Sequence, residues 1–187
     1  MGELSLYRPV LPFVTVMSRE EQVIKQALGE IEKREGEIEC CSDLMDFNFT
    51  DYYQRDMGKE LKFCFAVLSD LQNPFNLAAR KILSNKIESL LAKTSQVAVT
   101  RPVNIDPGYI SELQLVLAST KFAPHRLAVG EGIWAEVTML YQNGGWQELP
   151  WSYPSYSTEE SKKFFKSARK LVLRKLASKS LRRKTGG

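Results

Sequence analysis

Histidine occurs once in the 187 residues, at His125, and cysteine three times, at Cys40, Cys41 and Cys64. A single histidine with no C-x-x-C pair leaves no spacing for a zinc site, and no residue is assigned as a metal ligand; Asp106 and Glu136 sharing a hard cation such as magnesium is a weaker alternative. Three thiols, two of them adjacent, make no disulfide framework, which points to reduced cysteines in a cytoplasm. No apolar run approaches the roughly 18–20 residues that a spanning helix needs, so no membrane partner is expected. The first nine residues lack a basic start followed by an apolar block, so no secretory signal is read. The pattern G-x-x-x-x-G-K-S/T is absent, which excludes a P-loop nucleotide enzyme. There is also no internal repeat and no low-complexity linker.

Acidic residues are missing from the C-terminal end. Between Ser161 and Gly187 there are eleven Lys or Arg and no Asp or Glu, whereas Met1 to Glu160 holds 15 basic against 22 acidic residues. The net charge of +4 therefore hides an acidic body with a basic arm. Such an arm reads either as a weak, salt-sensitive contact for nucleic acid or as a solvated helix face that docks on its own body.

The remaining pattern is regular. A β-branched run, Leu11 to Met17, reads as a strand. Ser18 with Glu21 reads as a capping box that starts a helix carrying Val23, Ile24, Ala27, Leu28 and Ile31 and ending at Gly36. Glu37 to Phe47 and Leu61 to Leu71 read as two further strands. Asn73-Pro74 opens a second helix, and Val97 to Ile105 reads as a fourth strand, with Asp106-Pro107-Gly108 as the turn that ends it. The order is β-α-β-β-α-β, the ferredoxin-like motif, with one sheet face left free. Strands at Leu113–Thr120, His125–Val129, Ile133–Gln142 and Trp146–Leu149 follow as an antiparallel meander. A capping box at Ser157–Glu160 then starts a C-terminal helix. The fold class expected is α+β, a ferredoxin-like βαββαβ half extended by the meander and closed by that helix. One domain spans 1–178, and a basic tail spans 179–187.

Polar residues inside strand-like segments single out a site, because core strands tolerate them only when paired or functional. A hairpin loop centred on Glu131 puts Val129 opposite Ile133 and Leu127 opposite Ala135, one coherent buried face, and it sets Arg126 across from Glu136 on the other face. That contact is either an ordinary cross-strand ion pair or an arginine held for an anion. His125 is a general-base candidate or a structural donor. Asp106 and Glu136 are the other acid–base candidates. Arg101, Asn104, Lys121 and Arg126 are the ligand-binding candidates. Topology groups Lys121, His125, Arg126 and Glu136, while a turn at 106–108 sends Asp106 to the opposite end of the next strand. Two aromatic groups, Phe47, Phe49, Tyr52, Tyr53 and Trp151, Tyr153, Tyr156, either wall a pocket or anchor loops.

The segments N-I-D-P-G-Y-I (Asn104 to Ile110), A-S-T-K (Ala118 to Lys121), P-H-R (Pro124 to Arg126), G-I-W-A-E-V-T (Gly132 to Thr138) and P-W-S-Y-P-S-Y (Pro150 to Tyr156) resemble a prokaryotic family known as domain of unknown function 4416. F-T-D-Y-Y (Phe49 to Tyr53) with Met57-Gly58 adds to the match. The resemblance covers the chain apart from its basic tail. It implies that Asn104, Asp106, Lys121, His125, Arg126 and Glu136 belong to one shared pattern, and it brings no activity or cofactor. The expectation is a small enzyme or ligand-binding protein for an anionic, phosphorylated or nucleotide-like molecule. The alternatives are an RNA-binding module using the open sheet face and basic arm, and a non-catalytic assembly protein. Oligomeric state is left open.

Overall fold

The computed structural model describes residues 7–185, with side chains described as far as Lys179. β1 (Leu11–Ser18) is buried along its whole length, as a continuous apolar and β-branched run is when helices cover both sheet faces. α1 (Glu21–Glu35) buries Val23, Ile24, Ala27 and Ile31 and stops at Gly36, whose φ of 106° lets its N–H return to the Glu32 carbonyl. β2 (Ile38–Cys41), β3 (Met45–Asp46), the short α2 (Gln54–Met57) and β4 (Lys62–Leu68) follow. Oδ1 of Asn73 accepts from the Phe75 N–H and starts a 3-10 turn that leads into α3 (Leu77–Thr94). Then come β5 (Asn104–Ile110), β6 (Gln114–Ser119), β7 (Leu127–Gly130), β8 (Ile133–Gln142), β9 (Gly145–Glu148), α4 (Pro154–Ser157) and α5 (Glu159–Thr185).

The strands form one sheet in the order β2-β4-β1-β5-β6-β8-β7, with β3 on β4 and β9 on β8. All pairings between them are antiparallel. Val14, Val16, Cys64, Ala66 and Ile105 pack against Val23, Ala27 and Ile31 of α1 and Ile87 and Leu91 of α3, so both early helices lie on one face. Phe13, Phe65, Leu115 and Met139 on the other face pack against Phe165, Ala168 and Val172 of α5. The face expected to be open is therefore covered by α5. Phe63 and Phe65 on that face are buried. α5 runs through the expected tail boundary to Thr185, Lys175 pairs with Glu39 at 2.6 Å, and the arginines and lysine of the last turns lie outside the described side chains.

Several local expectations are corrected. Asp106-Pro107-Gly108 is not a turn: β5 begins at Asn104 rather than ending at Ile105, and the three residues lie inside it. Glycine is required there by close approach, since a Cβ at position 108 would sit 2.4 Å from the Val116 carbonyl oxygen and 2.6 Å from the Phe13 ring. Ser18 does not cap α1 as a box. Its Oγ accepts from the Glu20 N–H and donates to the Pro102 carbonyl. At α5 the cap is Thr158, whose Oγ1 accepts from the Ser161 N–H. In the β7–β8 hairpin Leu127 faces Ala135 as expected, but a bulge sets Gly130 rather than Val129 opposite Ile133. β7 is an edge strand, so Leu127 and Val129 are exposed instead of buried.

Candidate functional site

The site begins with a fork in the sheet. β5 and β6 pair only from Gly108↔Leu117 through Ile110↔Leu115, so the chain from Asn104 to Pro107 has β1 on one side and no strand on the other. Backbone groups of alternate residues point to the same side of a strand. Those of Ile105 point into the fork, where α3 replaces the missing strand. The Ile105 N–H donates to Oε1 of Glu88 at 2.7 Å, and Nζ of Lys81 donates to the Ile105 carbonyl at 2.9 Å. Pro107, two residues on, faces the same way and has no N–H to satisfy. The fork opens into a cavity of about 690 Å³, a volume ordinary for a small-molecule site.

One lip belongs to β5 and α3. Lys81, 4% exposed, passes through the fork and donates to Oδ1 of Asp106 at 2.9 Å. Nδ2 of Asn104 donates to Oδ2 of the same carboxylate at 2.6 Å. Arg101 reaches both Oδ1 of Asn104 and Oε2 of Glu88 through Nη2. Burial works to raise the Asp106 carboxyl, but Lys81 and Asn104 beside it hold it below the ordinary aspartate range. Glu88 goes the other way: burial raises it, only partly opposed by Arg101 and Lys81.

The other lip belongs to β6, β8 and two loops. Arg126 donates through Nε to Oε2 of Glu136 at 2.7 Å, through Nη1 to Oγ of Ser119 at 3.0 Å and to the Lys121 carbonyl at 2.8 Å, and through Nη2 to the Tyr153 hydroxyl at 2.8 Å. His125 approaches the same Glu136 oxygen at 3.1 Å and stacks on Trp151, with ring centres 5.0 Å apart. A bulge opposite Leu115/Val116 interrupts β8 just beyond Glu136. Nε1 of Trp151 donates to the Val137 carbonyl there, and Oγ of Ser152 to the Thr138 carbonyl, which pins the 150–154 loop and places Tyr153 on Arg126.

The wall is aromatic. Phe47, Phe49, Tyr53 and Phe63 pack edge to face, and Tyr156 closes the floor through a hydrogen bond with Thr15. Tyr52, exposed at the mouth, accepts from Nζ of Lys121 at 2.6 Å, which lowers its phenol. Burial pushes the Tyr53 phenol up to about 12.

Arg101, Asn104, Asp106, Lys121 and Glu136 thus line one cavity. Asp106 was expected at the far end of its neighbour strand. It lies at the same end, because the hairpin turn falls at 111–113 and β6 runs back past it. His125 and Arg126 do not line the cavity but hold Glu136, which does. Lys81, Glu88, Ser119 and Thr15 also line the cavity without having stood out in the sequence. The signal for the first two was a polar stripe on α3, Lys81, Asn85 and Glu88 at helical spacing beside its apolar one. Among the described residues no group of three or more His, Cys, Asp or Glu side chains is placed to hold a metal ion. No helix there is long and apolar enough to cross a membrane.

The model of the domain of unknown function DUF4416 matches residues 8–171. The chain belongs to the DUF4416 family. The matched span takes in every strand of the sheet and both lips of the cleft. No curated protein matches this DUF4416 chain, and no solved structure does.

Proposed function

We propose that the fork between β5 and β6 is the binding site of an anionic small molecule, phosphorylated or nucleotide-like, whose planar part lies along the aromatic wall. One observation carries this reading. Arg101 and Lys121 stand at the cavity with donors to spare: Nε and Nη1 of Arg101 have no partner among the described residues, and Lys121 has only the Tyr52 hydroxyl. The aromatic residues beside them suit a ring, since every base or heterocycle presents a π-face. Arg126, expected to hold the anion, is instead spent on four hydrogen bonds within the chain, so it acts through the groups it orients. For proton transfer the geometry favours Asp106. Its side chain is 34% exposed at the cavity, against 1% for Glu136, and His125 lies outside the lining.

The strand order β2-β4-β1-β5, with α1 and α3 on one face, supports reading the first half as ferredoxin-like, and the three free thiols support a reducing cytoplasm. A thermal-shift and titration series with inorganic phosphate, nucleoside monophosphates and sugar phosphates tests the function. Stabilisation by phosphorylated compounds, lost in the double variant Arg101→Ala/Lys121→Ala, is the expected result. No stabilisation by any of them, or stabilisation unchanged in that variant, would overturn it.

A further inference from the structure

The hydrogen-bond capacity of the cleft is unevenly spent. Its carboxylates are largely occupied. Asp106 accepts from Lys81 and Asn104, and Glu88 accepts from Ile105 and Arg101. Oε2 of Glu136 accepts from Arg126, and Oε1, which has no partner, is sealed from solvent. The hydroxyls are in the reverse position. Ser119 Oγ accepts twice, from the Lys121 N–H at 3.1 Å and from Nη1 of Arg126 at 3.0 Å. The Tyr153 hydroxyl accepts from Nη2 of the same guanidinium at 2.8 Å. A hydroxyl has one proton and two lone pairs, so an oxygen already accepting from a guanidinium must aim its proton elsewhere. Among the described residues neither proton has an acceptor, and neither does that of Tyr53, which lines the same cavity.

We propose that Ser119 and Tyr153, both held on the Arg126 fork, and Tyr53, which lines the same cavity, form a neutral donor site that binds an oxyanion of the ligand. The inference rests on the anion-binding reading above and assigns its specificity. Arg101 and Lys121 supply charge at the mouth, whereas the hydroxyls choose a group with several acceptor oxygens. One guanidinium fixes the spacing of two of these donors, so Arg126 is a positioning residue. Its planar fork is the reason lysine cannot replace it. A phosphoryl group, with three terminal oxygens, matches three hydroxyl donors and two cationic side chains better than a carboxylate with two.

The test is calorimetric titration of the full chain with inorganic phosphate at low and high salt, for the wild type, Tyr153→Phe, Tyr53→Phe, Ser119→Ala and Arg126→Lys. The phenylalanine variants keep the rings and therefore the packing, so they carry the result if Ser119→Ala unfolds. The expected outcome is a loss of at least about tenfold in affinity for Tyr153→Phe, the size of losing one hydrogen bond to a charged group. That loss persists at high salt, where charge at the mouth is screened. A similar loss is expected in Arg126→Lys with the hydroxyls intact. Phosphate binding that is unchanged in both phenylalanine variants, while still abolished in Arg101→Ala/Lys121→Ala, would overturn this inference and leave the anion site standing. Absence of phosphate binding in the wild type would overturn both.

Discussion

Nε of Arg126 donates to Oε2 of Glu136 at 2.7 Å, and the pair faces across the β7–β8 hairpin with side chains 8% and 1% exposed. A buried pair of this kind contributes little net stability over apolar residues, but breaking it strands a charge. Glu136→Ala is therefore expected to cost about 3–5 kcal/mol in chemical denaturation. The double variant Glu136→Leu/Arg126→Met should recover much of that loss, and a double-mutant cycle showing additivity would contradict the pairing.

Gly108 is the second sensitive point. Its position is closed by the Val116 carbonyl and the Phe13 ring, neither of which moves without disturbing the β5–β6 ladder or the core under α5. Gly108→Ala is expected to destabilise by about 1–3 kcal/mol, the usual range for overpacking, measured as a lower urea midpoint with unchanged slope.

The cleft's carboxyls make opposite contributions to acid stability. Asp106 is lowered on folding, so its stabilisation is present at neutral pH and is lost as pH falls through its depressed pKa. Glu88 is raised, so its contribution is present at low pH and is lost as pH rises through its folded pKa. Denaturation at a series of pH values should show a shallower acid limb in Asp106→Asn. In Glu88→Gln the decline between the carboxyl range and neutrality should be smaller. The two variants shifting the profile in the same direction would refute the assignment.

Neighbouring phenols should titrate far apart. Tyr52 is lowered by the hydrogen bond from Lys121, while burial pushes Tyr53 up to about 12. Phenolate absorbance or NMR should find Tyr52 deprotonating before Tyr53, and Lys121→Ala should raise Tyr52 and narrow the gap between them.

Much of the frame was legible because periodicity reports burial. The stripe Val23, Ala27, Ile31 gave α1, and the alternation Phe63, Phe65, Val67 gave β4. What failed was local chemistry overridden by packing. Asp-Pro-Gly is a turn in isolation. Here proline faces a fork that asks for no donor, and glycine admits the Phe13 ring. A turn at 106–108 would carry Asp106 to the far end of its neighbour strand and split one site into two, whereas a continuous β5 keeps it at the near end. Lys81 and Glu88 escaped because their partner is a strand's backbone, Ile105, whose need for substitutes only the three-dimensional fork reveals.

The fork also fixes how far the sheet is able to zip. Antiparallel strands that diverge tend to close, because each added residue pair regains ladder bonds. Here the advancing front meets Pro107, which brings no amide hydrogen, and then Ile105, whose amide and carbonyl are already engaged by a helix. The empty space is thus protected by covalent chemistry at its apex. An amide restored by Pro107→Ala would remove that stop and let β5 and β6 draw together, narrowing the cleft from within.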